Sequence, residues 1–316
     1  MKKNALLVLV DSDGLLYHSS RDSIEESLLT IDEKINNILV KTEATHYALF
    51  ISQGKYFRHL LFPEYKQNRK SYPTQLKWIK TLKQYLVEKY NAMSMNGVEA
   101  DDLINYWYNK DLHIADDGKI EPKEVFDATL PRPILFTYEP IEVIVASPDK
   151  DILQSLPSKG KGHFNYTYRV TDEAKAKSKE NPNYQFTEDD IVKGWWVETS
   201  NLTGQCEIFK ATQLLMGDAT DGVKGLDKVG PVGASKILST CQDNMDFLIP
   251  TVFNEYVSRL GISKGVFEFQ KNYRLLHLLD CDEDFIREIR ELPQLPHINE
   301  VVFDTKGEDL EINNVF

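Results

Sequence analysis

Three cysteines in 316 residues, Cys206, Cys241 and Cys281, are too scattered and odd in number for a disulfide framework or a zinc knuckle, and they suit a reducing compartment. Long apolar runs are missing. The one early run, residues 5–10, is about a third of the length that a membrane span needs. It ends at Asp11 with no small-residue cleavage site behind it, so neither a spanning helix nor a signal peptide is expected. Positive charge is scarce: 37 Lys and Arg stand against 49 Asp and Glu, a formal net charge of −12. Taken whole, that argues against a general nucleic-acid binder, because phosphate binding needs cations. Neither a Gly-Lys-Ser/Thr phosphate loop nor a G-x-G-x-x-G fingerprint is present. What remains is ample for a core: 41% hydrophobic residues, with 15 Phe, 15 Tyr and 4 Trp. The chain reads as a soluble, intracellular, globular protein of about two domains.

The scarce positive charge is unevenly spread. Residues 55–89 hold nine basic residues against two acidic ones, whereas residues 280–316 hold eleven acids against three bases. A basic segment inside an acidic chain suits a nuclease that gathers carboxylates around metal and grips nucleic acid elsewhere; a solvated helix face explains the same charges as well.

Periodicity gives the fold class. Residues 5–10, 46–51 and 142–146 (EVIVA) read as buried strands, the first and third ending in carboxylates. Helical spacing covers residues 24–40, a basic helix is expected over 73–90, and a helix with an acidic first turn over 99–108. A loop is expected at 116–133, a helix start at 152–156, an edge strand at 164–170 and a charged, mobile insertion at 171–183. Beyond Glu207 the pattern is helical with glycine-rich turns. Strands alternating with helices, with acids just past the strand ends, describe an α/β fold with an open, mainly parallel sheet whose site lies at the strands' carboxyl edge.

Four acidic groups fall at those places: Asp11 with Asp13; Glu99, Asp101 and Asp102; Asp149 with Asp151; Asp218 with Asp221. Singly, each is more simply a dipole complement or a turn former. Together they repel one another unless a cation intervenes, and hard oxygen ligands suit Mg²⁺ and two-metal phosphodiester hydrolysis. Residues 216–233 (MGDATDGVKGLDKVGPVG) hold five of the 16 glycines and run into a helix start. Such a hairpin offers backbone N–H groups to phosphate oxygens, although an ordinary helix–turn–helix connection has a similar composition.

In order, residues 63–69 (PEYKQNR), 98–102 (VEADD), 147–151 (SPDKD), 216–221 (MGDATD) and 225–230 (GLDKVG) resemble the 5′-nuclease family, which includes flap endonucleases, 5′→3′ exonucleases and bacteriophage members. The small size suggests a phage member acting in a bacterial host. The resemblance implies an α/β core over 1–204 with a helical arch at about 58–96, a helix–three-turn–helix DNA-binding subdomain over 205–285, and an acidic tail over 286–316. It implies a monomer that uses two Mg²⁺ or Mn²⁺ ions to cleave DNA at 5′ ends or flaps during replication, with RNA primers in RNA–DNA hybrids as a further substrate and K⁺ at the hairpin. One metal cluster would use Asp11, Glu99, Asp101 and Asp102, the other Asp149, Asp151, Asp218 and Asp221. Lys66 and Arg69 would steer the scissile phosphate, and Tyr65 would stack on a base. Lys70, Lys224, Gly225, Lys228, Val229, Gly230, Gly233 and Lys236 would contact DNA. Relatives carry one more aspartate after the second strand, where this chain reads Ser52-Gln53; Asp13 is the residue that could compensate, provided the chain stays extended past Asp11. The gap keeps a second reading open: a branched-DNA-binding replication or recombination protein that cleaves weakly. A third, an RNA-directed nuclease, is disfavoured by the hairpin. The stretch 160–205, with Trp195-Trp196, is longer than the family pattern, and tandem core tryptophans are the simpler reading there.

Overall fold

The computed structural model describes residues 5–67, 77–110, 112–114, 119–122, 141–155, 162–197, 206–241 and 244–301. In order, the elements are β1 (Leu6–Asp11), α1 (Ser12–Ser19), α2 (Ile24–Thr42), β2 (His46–Phe50), α3 (Phe57–Leu61), α4 (Ile79–Tyr90), α5 (Ala100–Tyr108), β3 (Leu112–Ile114), β4 (Ile120–Pro122), β5 (Glu142–Ala146), β6 (His163–Val170), α6 (Asp172–Glu180), β7 (Ile191–Trp196), α7 (Cys206–Met216), β8 (Gly217–Asp218), β9 (Val223–Lys224), α8 (Pro231–Leu238), α9 (Leu248–Leu260), α10 (Ile262–Leu276), α11 (Asp282–Glu288) and β10 (Asn299–Glu300). Arg69 and Lys70, and the acidic sequence after residue 301, lie outside the described residues. Among the described residues no helix is long and apolar enough to cross a membrane.

Six strands form one sheet in the order β10-β2-β1-β5-β6-β7. β1 pairs in parallel with β2 and with β5, and β5 pairs in parallel with β6, so four carboxyl ends point to one edge. The central strands are apolar on both faces because both faces are covered. Phe57, Leu103, Ile104, Trp107 and Ile152 pack on one side, and Leu16, Ile31, Ile38, Leu82 and Leu86 on the other. A third core, around Leu214, Leu215, Val252 and Tyr256, belongs to α7–α10.

Several expectations change. α4 is not part of an arch standing off the site: Leu82, Leu86 and Tyr90 sink its inner stripe into the core of the sheet. Residues 68–76 of that expected segment are outside the described residues. β6 is not the edge strand, because the unforeseen β7 pairs antiparallel outside it. The 171–183 segment holds a helix: Thr171 caps α6 through its hydroxyl, and Ala174, fully buried, pins it. The acids and lysines of this segment are therefore a solvated helix face. Ile120–Pro122 is a strand paired with β3 inside the expected loop, and the turn after Lys150 is a short 3₁₀ segment, Asp151–Gln154. α11 runs across the boundary expected at 285/286, and β10 returns to pair with β2, so residues 286–301 belong to the fold rather than to a tail.

A candidate metal site at the carboxyl edge

β1 ends in Asp11, whose carboxylate caps α1 by accepting the N–H of Asp13 at 3.1 Å. Its other oxygen accepts the Ser147 hydroxyl at 2.8 Å, and that hydroxyl oxygen accepts the N–H of Asp149 at 3.0 Å. The tight turn after β5 thus locks onto the end of β1. Gly14 allows the approach, because a Cβ there would collide with the Tyr166 hydroxyl and the Pro148 ring. Asp149 in turn caps the next turn through Asp151 N–H at 3.0 Å. Asp218 follows α7 and accepts the N–H groups of Thr220 and Asp221 at 2.8 and 3.3 Å. Gln213 reaches both Asp151, at 2.7 Å, and Asp218, at 3.3 Å.

Asp11, Asp13, Glu99, Asp101, Asp149, Asp151, Asp218 and Asp221 line a single open cleft of about 430 Å³, together with Tyr17, Ser52, Lys66 and Lys150. Sequence-distant acids thus converge from the ends of β1 and β5, the start of α5 and the end of α7. Asp102 does not join them. Both its oxygens take a guanidinium N–H of Arg58 at 2.7 Å, and it also accepts the N–H groups of Glu99 and Leu279 at 3.2 and 3.1 Å. With four donors and no exposure it is a buried structural anion. Tyr65 is not available to stack on a base either. It is 4% exposed, and its hydroxyl donates to Glu99 at 3.2 Å and Asp221 at 3.0 Å. Lys66, in left-handed backbone conformation, joins Glu99 in an ion pair and lies 3.7 Å from Asp221.

The electrostatics are those of an under-neutralised pocket. Burial, then the charges of Asp13 and Asp149, push Asp11 up to about 7 against the Ser147 hydrogen bond. Burial and the charges of Glu99 and Asp102 hold Asp101 well above the usual carboxylate range. Burial and Asp149, Asp218 and Asp221 do the same to Asp151. Asp218 alone goes down: burial opposes ionisation, but the Lys150 ammonium at 2.9 Å outweighs it. Asp13, Asp101, Asp149 and Asp151 each have one carboxylate oxygen engaged and the other without a donor among the described residues. Four such carboxyl oxygens with no histidine or cysteine in the lining fit hard divalent cations.

Residues 7–118 match the 5′-3′ exonuclease, N-terminal resolvase-like domain. A curated 5′-3′ exonuclease of Aquifex aeolicus is 27% identical to this chain over 204 residues, covering 63% of this chain and 54% of that protein. The chain therefore spans about half the length of this curated relative. The flap endonuclease of bacteriophage T5, solved with DNA and metal ions, superposes on this chain with a TM-score of 0.52 at 15% identity, covering 90% of this chain and 92% of that one. The T5 protein co-crystallised with metal ions gives 0.51 at 16% identity, covering 86% and 89%. These likenesses establish the architecture, including a mostly parallel sheet flanked by helices.

The glycine-rich segment is a hairpin, β8–β9, leading through residues 225–230 into α8. Lys224, Lys228 and Lys236 are exposed along it. Gly230 caps α8, with Pro231 at its first turn, and Gly233 faces open space apart from Val229. Gly225 and Val229 serve the hairpin itself: a Cβ at 225 would strike the backbone of Met216 and Gly217, and Val229 packs on the helical core. Sequence reading missed four residues here. Arg58, 1% exposed, sits in the basic window and looks like a surface charge, but its partners Asp102 and Glu99 lie about 40 residues on. Tyr17, half exposed at the mouth of the cleft, and Gln213 carry no motif. Lys150 lies between two recognised aspartates. A separate cluster, His277, Asp280 and Asp284, is internally paired: His277 meets Asp284 at 2.7 Å, and Arg287 meets it at 2.6 Å.

Proposed function

We propose that this protein is a divalent-cation-dependent 5′-nuclease that hydrolyses DNA phosphodiesters at 5′ ends or flaps. The observation that carries the reading is the single open cleft holding eight carboxylates, four with an oxygen that no donor among the described residues reaches, at the carboxyl edge of a parallel sheet. Two cations fit the division of the acids: Asp11, Asp13, Glu99 and Asp101 on one side, and Asp149, Asp151, Asp218 and Asp221 on the other. Bound there, divalent cations would supply a lowered water pKa and charge stabilisation for the attacking and leaving oxygens. The chain's own residues do the rest. Lys66, held against Glu99 and Asp221, offers positive charge to the scissile phosphate inside the cleft, and half-exposed Lys150 offers it from the opposite wall. Tyr17 presents a ring at the mouth on which a base can stack. Lys224, Lys228 and Lys236 hold the duplex backbone away from the cut. A DNA substrate implies action inside a cell, as a monomer in this reading. A phage origin, RNA–DNA hybrids as substrate and K⁺ at the hairpin rest on the resemblance alone.

The test is product analysis on a 5′-labelled flap with Mg²⁺, Mn²⁺, Ca²⁺ or EDTA. Cleavage with Mg²⁺ or Mn²⁺, binding without cleavage in Ca²⁺ and silence in EDTA are expected. Tight flap binding with no product in any cation would favour the branched-DNA-binding reading, which the uncharged Ser52 at the end of β2 keeps open.

A further inference from the structure

We infer that Asp13 is a direct ligand of the divalent cation nearest β1, bringing from the first turn of α1 the negative charge that the end of β2 does not carry. The inference rests on the metal-dependent nuclease reading above. Three neighbouring strands end at the cleft. β1 contributes Asp11 and β5 leads to Asp149, but β2 runs into Ile51, Ser52 and Gln53, with no acid. Each polar group of Ser52 is already committed. Its hydroxyl oxygen accepts the N–H of Ala100 at 2.8 Å, its carbonyl accepts the Lys83 ammonium, and its N–H donates to Asp13 Oδ1 at 3.1 Å. Gln53 turns its amide oxygen to Ser94 at 2.6 Å. The strand end therefore offers no anionic ligand of its own and instead holds the Asp13 carboxylate against itself.

The route differs from an extended chain that would place Asp11 and Asp13 on one side. Asp11 is already the cap of α1, and Asp13 lies within the helix. An aspartate that served only the helix dipole would accept N–H groups of its own first turn or point into solvent. Asp13 instead accepts an N–H from a residue 39 positions away. This contact fixes Oδ1 and leaves Oδ2, which has no donor among the described residues, on a side chain that lines the cleft. The pocket's ammonium groups do not reach it. Lys66 pairs with Glu99 and lies near Asp221, and Lys150 pairs with Asp218. Asp11 and Asp13 are thus neighbouring carboxyl groups that neither of these ammonium groups pairs.

A reciprocal exchange tests this. Asp13→Ser removes the ligand, and Ser52→Asp restores a carboxylate at the strand end while still capping Ala100, since Asp caps as well as Ser. Mn²⁺ and Ca²⁺ binding would be measured by calorimetry on the full chain without DNA, alongside the rise in melting temperature on adding Mg²⁺. Asp13→Ser should weaken one class of site at least about tenfold. Asp13→Asn, which keeps the acceptor for Ser52 N–H, should weaken it similarly with a metal-free melting temperature that does not fall. The double exchange should return affinity to within about threefold of the unaltered protein. Unchanged binding in Asp13→Asn overturns the ligand assignment, and failure of the double exchange to restore binding overturns the transfer of charge from strand end to helix. Absence of any cation binding by the unaltered protein overturns the nuclease reading together with this one.

Discussion

Tyr65 and Asp102 show how much a single side chain's partners decide. Tyr65 sits in the motif expected to touch DNA, yet its hydroxyl bridges two acids from different walls of the cleft. A stacking residue would tolerate Phe and fail with Ala, whereas a bridging hydroxyl fails already with Phe. Tyr65→Phe is expected to raise the Mg²⁺ concentration for half-maximal cleavage about fivefold, the equivalent of one hydrogen bond of about 1 kcal/mol, with unchanged KM for the flap. Asp149→Asn keeps the acceptor for Asp151 N–H and removes one free anionic oxygen. It should lower turnover at least about 100-fold, the scale of losing one electrostatic stabiliser, while flap affinity in Ca²⁺ holds or rises; wild-type turnover in this variant would remove Asp149 from the site. That Asp11, Asp149, Asp151 and Asp218 line the cleft was legible because each ends an apolar strand or follows a strand or helix within five residues. The separate fate of Asp102 was not, because it is set by Arg58, 44 residues earlier and looking like a surface cation in one dimension.

At the scale of elements, β1, β2 and β5 were readable because burial on both faces makes them continuously apolar. β7 was not: Lys193 and Gly194 interrupt it, and it is half exposed at the sheet edge. Trp196 packs edge-on against Phe164 at 5.5 Å, and Trp195, one residue earlier, turns to Arg169 at 5.3 Å, so only Trp196 joins the core. The basic window also changes meaning. Arg58, Lys66, Lys83 and Lys89 are bound to Asp102, Glu99, the Ser52 carbonyl and Asp32. They are charges of the interior and of the site, whereas the hairpin lysines face solvent. Replacing Lys224, Lys228 and Lys236 together by Ala should therefore flatten the salt dependence of DNA binding by as much as about three units of slope. Lys89→Ala should leave the slope alone. Equal effects of the two changes, measured by titrating binding against salt, would contradict this division.

For the whole molecule, the cleft sets opposing demands on folding and function. A carboxylate whose folded pKa stands near 7, like Asp11, holds its proton more tightly folded than unfolded. Its contribution is therefore favourable at low pH and is lost as pH rises from about 4 through 7. Asp101 and Asp151 shift in the same direction. In EDTA the melting temperature should fall between pH 6 and 8. In Mg²⁺ that fall should shrink or vanish, because a bound cation replaces the proton and adds its own binding energy to the folded state. A metal-free protein equally stable at both pH values would show that the acids are better screened than their burial implies.

Asp102 also has a consequence for how the chain comes apart. It accepts the backbone N–H of Glu99, at the start of α5, and of Leu279, after α10, while Arg58 ties the same carboxylate to the His277 carbonyl. Two amides 180 residues apart thus share one buried acceptor, and neither can reach solvent without releasing it. Their deuterium exchange should be slow and matched, following the opening of a single cooperative unit rather than of two domains. A fragment ending near residue 205 would carry Arg58 and Asp102 without the Leu279 N–H and the His277 carbonyl that complete the knot, and it is expected to lose protection at Glu99 as well. Seen by exchange, the sheet and the C-terminal helices should behave as one foldon, fastened at a carboxylate that does not line the cleft.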